Sequence, residues 1–462
     1  MIKFFNSLTK KKEEFRPITL GKVLMYQCGP TVYWIQHIGN LRAMVMADLI
    51  TRVLRYNGLE VTFVRNYTDV GHLVSDSDEG EDKMEEGAKR EGKSPQEIAS
   101  KYIGIFEEDC KRLNIIEPTA KPRATEYIKP MQEMVQTLLD KDYAYQTNLA
   151  IYFDITKAKD YTRLSGQKLE ENKKGAGHAD VSDSEKKNPA DFALWFFKKG
   201  AHANALQTWE SPWGAGFPGW HLECSVMSKA LLGATFDIHM GGIEHIPVHH
   251  TNEIAQSEGA NGVEIAHYWL HNEHLLVDGK KMAKSEGTSH TLAEIQEHGF
   301  DPLALRYFFL QAHYRSKQNF TWEALTGAKN ALKKLTALVA SFEEAKVGCA
   351  EFEEKFLEAI NDDCNTPQAL AILWEVVKSD YPDSAKATTI LKFDEVLGLG
   401  LKEVVGKKED IPQEILKLAE ERQRAKEQKN FALADEIRDK IEAMGYVIND
   451  LEDNSYQIVG SR

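Results

Sequence analysis

Two separated cysteines and a histidine–glutamate pair are the residues whose types and spacing point most directly to chemistry. Cys28 follows the short apolar run VLMYQ, and Cys224 lies in the segment GWHLECSVMS. His249 and Glu253 are spaced i, i+4, so one face of a helix can present an imidazole and a carboxylate together. Two thiolates, one imidazole and one carboxylate form a ligand set that suits Zn²⁺.

The spacing leaves other assignments open. No compact Cys-x-x-Cys signature marks the site, and a buried cysteine often behaves as a small hydrophobic side chain. Three further histidines are rival ligands: His221, His271 and His274. The pattern therefore favours a zinc site without ranking these histidines against His249.

A second group of residues is suited to binding phosphate. The segment HIGN, residues 37–40, starts the first long helical pattern, and the N–H groups at a helix N-terminus favour anions. Gly39 allows a nucleotide to approach the backbone closely. In LLVDGKKMAKSEGTS, Lys281 and Lys284 lie on a predicted glycine-flanked loop after an apolar strand. Two lysines there would neutralise a triphosphate whose α-phosphate is attacked.

The elements that must position these residues begin with a βαβ unit. VLMYQ and LEVTFVRNYT predict strands, and LRAMVMADLITRVLRY between them has the apolar spacing of a helix that Gly58 caps. This order predicts a parallel sheet with ligands at the carboxyl ends of its strands. FDIHMGG and HYWLHNEHLLVDG predict that the sheet resumes after an insertion. Beyond about residue 300 the pattern is almost entirely helical.

The segment SDSDEGEDKMEEGAKREGKS, acidic and rich in glycine, predicts an exposed excursion. Its end, GAKREGKS, matches the phosphate-loop pattern G-x-x-x-x-G-K-[ST]. No apolar strand precedes the match, however, and Pro95 follows it directly. We interpret the match as a coincidence, because the motif requires a strand–loop–helix setting.

Length and composition indicate a soluble chain of several domains. It has 462 residues, of which 42% are hydrophobic and 28% charged. No apolar run reaches the roughly 18 residues of a membrane span, and the N-terminus lacks the apolar region of a signal peptide. Five scattered cysteines favour a reducing cytoplasm. The net charge of −14 argues against a general nucleic-acid coat protein but not against binding one folded RNA.

HIGN and KMAKS resemble the two signature motifs of class I aminoacyl-tRNA synthetases, and the sequence around them resembles the cysteinyl-tRNA synthetase family. Further landmarks run in the family's order from about residue 20 to about residue 460: YQCGPTVY, RNYTD, FEEDCKRLNI, PRATEYI, RLSG, NPADFALWF, SPWGAGFPGWHLECSVMS, FDIHMGG, HHTNEIAQSE, LRYFFLQAHYRS, NDDCNTPQAL and NFALADEIRDKI. The resemblance implies an α/β fold: a Rossmann-like, parallel-sheet catalytic domain with an insertion, then a C-terminal helical bundle and a small anticodon-binding module.

The same resemblance implies a division of the chain. The expected segments are the first half of the catalytic domain (1–117), a connective insertion (118–208), the second half with the zinc ligands and the KMAKS loop (209–300), a stem-contact and helical bundle domain (301–406) and the anticodon-binding module (407–462). The family is most often monomeric, so a monomer is expected.

The implied activity is ATP-dependent activation of L-cysteine to cysteinyl-adenylate, followed by transfer to the 3′ end of tRNA(Cys). Mg²⁺ would accompany ATP, and one Zn²⁺ per chain would take the substrate thiolate as a further ligand. The zinc ligands implied by the family are Cys28, Cys224, His249 and Glu253. Because Zn²⁺ binds a thiolate strongly and a serine hydroxyl poorly, no editing domain is expected.

The resemblance also assigns roles at the nucleotide. His37 and Asn40 would hydrogen-bond the ATP phosphates, with Gly39 at the same site, and Lys281 and Lys284 would close over the pyrophosphate. Asn40 departs from the family, in which histidine is commonest at this position. An asparagine still donates a hydrogen bond but carries no charge.

Two other sites follow from the resemblance. Positions of the family's amino-acid pocket are occupied by Gly29, Thr68 and Trp220. For the indole of Trp220, core packing is the alternative.

Phe431, Asp435 and Arg438 occupy positions suited to stacking on unpaired anticodon bases and hydrogen-bonding them. The alternative there is an ordinary helical hairpin with Phe431 in its core.

Other functions fit the sequence less well. The ligase that joins cysteine to a glucosamine-inositol in mycothiol synthesis lacks a comparable anticodon-binding end. A non-catalytic RNA-binding relative would not need His37, the loop lysines and the four zinc ligands together. A nicotinamide dehydrogenase would carry G-x-G-x-x-G after the first strand, and none is present.

Overall fold

The computed structural model describes residues 1–71, 83–167, 183–282, 288–343, 346–407, 411–450 and 456–460. The strands in this part of the chain are β1 Lys3–Asn6, β2 Lys11–Glu14, β3 Lys22–Gln27, β4 Glu60–Arg65, β5 Ala144–Gln146, β6 Ala150–Phe153, β7 Phe192–Phe197, β8 Gly216–Pro218, β9 Phe236–Gly242, β10 Ala266–Asn272, β11 Leu275–Val277, β12 Lys280–Lys281, β13 Gln318–Phe320, β14 Tyr446–Asp450 and β15 Tyr456–Gly460.

The α-helices in the same ranges are α1 Ile38–Tyr56, α2 Lys83–Glu91, α3 Pro95–Arg112, α4 Ile128–Asp140, α5 Trp220–Leu232, α6 His249–Asn261, α7 Leu292–Glu297, α8 Pro302–Leu310, α9 Trp322–Ser341, α10 Ala350–Asn361, α11 Thr366–Lys378, α12 Asp383–Leu397, α13 Gln413–Glu427 and α14 Phe431–Ala443. None of the helices described is both long and apolar enough to cross a membrane.

A four-stranded parallel sheet has the strand order β10-β9-β3-β4. Helix α1 connects β3 to its neighbour β4, whereas β9 pairs with the opposite edge of β3. The connections therefore leave β3 and β9 in opposite directions, and a crevice opens beyond the carboxyl ends of these two strands. This arrangement confirms the predicted βαβ unit and the predicted return of the sheet after an insertion.

Helix α1 carries the HIGN segment and lies largely in the core. His37 is its N-cap, and the His37 Nδ1 accepts a hydrogen bond of 3.2 Å from the Asn40 N–H. The helix ends at Tyr56, Asn57 is the C-cap, and Gly58 follows in the left-handed region at φ +78°. The capping side chain thus fixes the point where the backbone enters the helix.

Two further sheets accompany the four-stranded parallel sheet. Strands from residues 144 to 218 form an antiparallel sheet with the order β5-β6-β7-β8. Near the second signature motif, β11 pairs with β13 and with β12, so Lys281 lies on a short hairpin strand. The prediction that Lys281 lies on a loop is wrong, because the turn at Asp278 and Gly279 brings the chain back along β11. Lys284 lies outside the described residues.

The acidic segment differs from its prediction. Residues 72–82 lie outside the described ranges, but Lys83–Glu91 forms α2 rather than an exposed excursion, and it buries Met84 and Ala88. Two apolar residues spaced i, i+4 are enough to bury one face of this charged helix against the rest of the protein. GAKREGKS runs from α2 through the turn at Gly92 to Ser94, the N-cap of α3, so it has no strand–loop–helix setting.

A buried ion pair joins α1 to the helical half of the chain. The Arg306 guanidinium on α8 donates to the Asp48 carboxylate, and both side chains are fully buried. Arg306 also donates to Leu397 O at 2.7 Å and to Leu113 O at 2.9 Å. Burial alone would raise the pKa of Asp48, but Arg306 and then Arg52 lower it below its usual value.

We expect Arg306→Met to lower the free energy of unfolding by roughly 3–5 kcal/mol, because it leaves the Asp48 charge buried without its partner. Urea denaturation at neutral pH measures this change. Lys355→Met, which removes an exposed pair with Glu351, is the control and should cost less than about 1 kcal/mol. Because the folded-state pKa of Asp48 is depressed, the Arg306 contribution should disappear as the pH falls below about 4. Equal effects of both substitutions would contradict this account.

Candidate metal and nucleotide site

Four side chains converge beyond the carboxyl ends of β3 and β9. Cys28 directly follows β3, Cys224 lies on α5, and His249 and Glu253 lie one turn apart on α6. Their ligand atoms all lie within 4.8 Å of one another, and all four side chains are buried. The Cys28 Sγ is 3.6 Å from both the Cys224 Sγ and the Glu253 Oε1. The structure thus brings together the four ligands that the resemblance implied.

The partners of His249 and Glu253 match those of metal ligands. The buried His249 Nε2 lies 3.0 Å from Glu253 Oε1, yet it has no hydrogen-bond partner. Its Nδ1 is 2.9 Å from His221 Nδ1, and Glu253 Oε2 is 2.8 Å from His239 Nε2. A ligating imidazole or carboxylate is commonly held through its second polar atom in this way. Because buried polar atoms normally have partners, the open Nε2 fits a metal ion.

A second ligand group lies in the same space: Cys28, His239, His250 and Glu253. In that group, His239 already contacts the Glu253 carboxylate, and His250 Nδ1 is 2.7 Å from His271 Nε2. The first group differs because three of its members line the adjoining cavity: Cys28, Cys224 and His249. A metal held by the first group would therefore face the cavity, and we favour that group.

The electrostatics of the cluster favour the ionised forms of Cys224 and Glu253. A hydrogen bond from Cys28 lowers the pKa of the Cys224 thiol to about 6 against the effect of burial, while burial and then Cys224 raise the pKa of Cys28. Burial opposes a charged His249, but the Glu253 carboxylate raises the pKa of His249 to about 10. His239 and His249 hold the pKa of Glu253 below its usual range despite burial. Thiolate and carboxylate are the forms that bind metal ions.

A cavity of about 260 Å³ adjoins these ligands and also reaches the residues predicted to bind phosphate. The three residues predicted for the amino-acid pocket line it, and so do His37 and Asn40 from the start of α1. The three are Gly29, Thr68 and Trp220. One cavity is therefore bordered by a sulfur-rich ligand set and by a helix N-terminus suited to phosphate.

Close backbone approach explains the glycine after Cys28. A Cβ on Gly29 would lie 1.6 Å from Asn66 O, and the Gly29 N–H donates to Asn66 Oδ1 at 2.9 Å. The neighbouring Val32 N–H donates to Thr68 O at 3.1 Å, which ties the segment after β3 to the segment after β4. The wall of the cavity is thus built from the ends of two adjacent strands.

Trp220 has a direct relation to the metal ligands. Its ring stacks on His249, with centroids 4.0 Å apart and planes 27° apart, and it is only partly buried. It lines the cavity and supports His249 at once, so core packing alone does not describe it. An aromatic wall there would also limit the size of the bound amino acid.

The two signature segments touch each other. A Cβ on Gly39 would lie 2.1 Å from the Met282 Cε of the KMAKS segment. The Ile38 N–H donates to His290 O at 2.8 Å, which joins the start of α1 to the chain beyond that segment. Lys281 is exposed on β12. The contact places a lysine-bearing segment beside the helix N-terminus, as a triphosphate site requires.

Sequence reasoning missed three contributors: His239, His250 and Asn66. The signal for His239 was a histidine inside the otherwise apolar FDIHMGG, and His250 adjoins His249. Among the rival ligands, His221 and His271 lie in the next layer, against His249 and His250. His274 instead lies 3.6 Å from Glu244.

The predicted anticodon residues lie on α14, and none of them lines the cavity. Phe431 begins this helix and is 62% exposed, so the interpretation that it packs in a helical core is wrong. Asp435 and Arg438 form an ion pair of 3.1 Å on the same helix. An exposed aromatic ring beside exposed charged groups can meet unpaired bases.

Comparisons with known proteins agree with this geometry. Residues 14–330 match the family described as "tRNA synthetases class I (C) catalytic domain", and residues 355–379 match the DALR domain. The cysteine–tRNA ligase 1 of Burkholderia lata is 45% identical over 450 residues, covering 96% of this chain and 94% of that protein. This chain belongs to the cysteine–tRNA ligase family. The ligase of Treponema denticola is 43% identical over 483 residues, covering 97% and 98%.

Solved structures of class I synthetases share the fold. A Mycobacterium tuberculosis methionyl-tRNA synthetase in complex with methionyl-adenylate aligns with a TM-score of 0.55 and 15% identity, covering 84% of this chain and 92% of that chain. The LeuRS of a LeuRS–tRNA–LeuAMS complex from Agrobacterium radiobacter aligns with a TM-score of 0.59 and 11% identity, with 85% of each chain covered. These similarities confirm the predicted class I catalytic fold.

The ligand cluster makes a direct prediction about metal content. We expect Cys224→Ser to lose most of the tightly bound metal of the purified chain, because a hydroxyl replaces one of two thiolates. Elemental analysis by plasma mass spectrometry measures the loss. Cys110→Ser changes another buried cysteine outside the cluster and should keep the metal. Equal metal contents in both variants would contradict the assignment.

Proposed function

We propose that this chain attaches L-cysteine to tRNA(Cys), using ATP to form cysteinyl-adenylate and releasing pyrophosphate. The observation that carries the proposal is the single cavity that Cys28, Cys224 and His249 border at one end and His37 and Asn40 border at the other. An amino acid whose thiol lies at the first end has its carboxylate directed toward the phosphates at the second.

Selection of cysteine is proposed to depend on zinc held by Cys28, Cys224, His249 and Glu253. Zinc in this position would accept the substrate thiolate as a further ligand, a bond that a serine hydroxyl cannot match. The protein's part is to hold the four ligands buried and close together, with Trp220 against His249. A required bond of this kind discriminates more strongly than an apolar pocket of similar shape.

The start of α1 is proposed to position ATP. Because the His37 Nδ1 accepts from the Asn40 N–H, a neutral His37 ring carries its proton on Nε2 and can donate it to a phosphate oxygen. The Asn40 side chain supplies a second, uncharged donor. Lys281 and Lys284 would neutralise the leaving pyrophosphate, and Mg²⁺ would accompany ATP. Attack of the substrate carboxylate on the α-phosphorus then requires mainly alignment and charge stabilisation.

The C-terminal residues 407–462 are proposed to bind the anticodon, and residues 301–406 to contact the stem of the tRNA. In the terminal part, Arg422 pairs with both carboxylate oxygens of Asp450 at 2.8 and 2.9 Å, which ties α13 to β14. This tie supports the module while Phe431 stays exposed on α14. A monomeric state and a cytoplasmic location are parts of the same proposal.

Charging of tRNA tests the proposal. Zinc-loaded protein with ATP and Mg²⁺ should attach radiolabelled cysteine, and not serine, to unfractionated tRNA. Cysteine-dependent ATP–pyrophosphate exchange without charging would contradict tRNA as the acceptor. Absence of both activities would contradict the whole proposal.

The anticodon role predicts a selective defect. Phe431→Ala should raise the KM for tRNA roughly 5-fold or more, since stacking of one base contributes about 1–3 kcal/mol. Cysteine-dependent pyrophosphate exchange should stay unchanged, because none of the predicted anticodon residues lines the cavity. Leu416→Ala, which truncates an exposed side chain on α13, is the control. A fall in both activities would indicate a general structural defect instead.

A further inference from the structure

One wall of the cavity is held from outside by a helix that no role proposed so far includes. The wall consists of Tyr33 and Trp34, which line the cavity between the segment after β3 and the HIGN motif. Helix α2, which lies within the acidic segment, packs against this wall. The inference below rests on the proposed function and adds a binding role for the wall.

The contact between α2 and the wall is specific. The Arg90 guanidinium carbon lies 3.7 Å from the centroid of the Trp34 ring, and the Arg90 Nη2 donates to Tyr33 O at 2.9 Å. The ring of Tyr102 lies 6.1 Å from that of Trp34, and its hydroxyl contacts both Arg90 and Glu91. A cation over one face and an aromatic ring nearby thus fix the plane of the indole.

The seating of α2 explains part of the GAKREGKS segment. A Cβ on Gly87 would lie 3.2 Å from Tyr33 O and 3.1 Å from the Ile98 Cγ2, so the glycine lets the helix approach the wall closely. Met84 is fully buried, and Glu85 Oε1 accepts from the Leu206 N–H at 2.6 Å. The glycine and the arginine of this segment therefore hold a cavity wall rather than a phosphate.

The chemistry of the cavity indicates what this wall binds. Cysteine belongs at the metal end and the phosphates at the start of α1, whereas both ATP and the 3′ end of tRNA also bring an adenosine. Apart from histidines, the aromatic residues lining the cavity in the described part of the chain are Tyr33, Trp34 and Trp220. The ring of Trp220 already stacks on His249 at the metal end. Trp34 lies three residues before His37, beside the phosphate site.

We propose that Trp34 stacks on the adenine base of an adenosine substrate, and that Arg90 is the residue that positions the indole for this contact. A base and an indole stack well because both present extended π faces. The guanidinium on the outer face keeps the ring in place before the nucleotide arrives, so less conformational freedom is lost on binding.

Kinetics of Trp34 variants test the proposal and identify the source of the adenosine. With ATP as the source, Trp34→Ala raises the KM for ATP in pyrophosphate exchange at least about 5-fold, and Trp34→Phe raises it less. With tRNA as the source, transfer from preformed adenylate is measured in single turnovers at several tRNA concentrations. Trp34→Ala should then need more tRNA for half-maximal rate than Trp34→Phe, and Trp34→Phe more than the unmodified chain. Either result supports stacking. The KM for cysteine should stay unchanged in both variants.

Arg90 variants test positioning separately. Arg90→Gln should reproduce part of the Trp34→Ala effect on the same KM with kcat nearly unchanged, and Arg90→Lys should restore part of the loss. Lys89→Gln on the exposed side of α2 is the matched control and should behave as the unmodified chain.

Three results would overturn the proposal. These are an unchanged KM for both ATP and tRNA in Trp34→Ala, a change confined to the KM for cysteine, and equal losses of kcat in every step. If Trp34→Ala does not fold, Trp34→Phe and Trp34→His replace it, and a KM for both substrates like that of the unmodified chain in each would overturn stacking by the indole. Absence of pyrophosphate exchange in the unmodified chain would instead point to failure of the proposed function.

Discussion

A backbone hydrogen bond of 3.1 Å from the Cys28 N–H to Met240 O is the contact on which the site depends. It continues the parallel pairing of β3 and β9 one residue beyond Gln27, which pairs with Met240. The adjacent strands connect in opposite directions at this point, so the backbone cannot be covered by a crossover helix. Cys28 is thus held rigidly at the floor of a crevice that the topology leaves open.

The second constraint is the cost of burying ionisable groups. The four ligand side chains are almost completely inaccessible to water, and they lie among further buried histidines. Such groups are expensive to bury unless they are paired or bound to a metal ion. Among the ligand atoms, the buried His249 Nε2 has no hydrogen-bond partner in the protein. A metal ion at that place would account for the buried, sulfur-rich floor of the cavity.

Helix α1 links the site to the rest of the molecule. Its first turn lines the cavity through His37 and Asn40, and Asp48 in its middle pairs with Arg306 of the helical half. Arg42, also fully buried, donates to Ser316 O at 3.0 Å. The nucleotide end of the cavity is therefore fixed to the same rigid helix that carries contacts to the part proposed to hold tRNA.

Local sequence signals predicted the helices and strands better than the contacts among them. The start of α1 follows from a capping side chain, and the strands follow from apolar runs, so both were predictable. The choice among the histidines was not predictable from the sequence. It depends on how α5 and α6 pack, and both helices lie far from Cys28 in the sequence. Helix α2 was mistaken for exposed chain because only Met84 and Ala88 seat it, too few for a periodic signal. The link between Trp34 and Arg90 has no sequence signal at all, since it joins separate elements through one ring.

In the proposed function, the floor of the cavity selects cysteine through its sulfur atom. Zinc-edge X-ray absorption of the zinc-loaded chain, recorded with and without cysteine, tests this claim most directly. The account predicts two sulfur neighbours at about 2.3 Å in the free protein and three when cysteine is bound, with no change on adding serine. An unchanged sulfur count with saturating cysteine would contradict it.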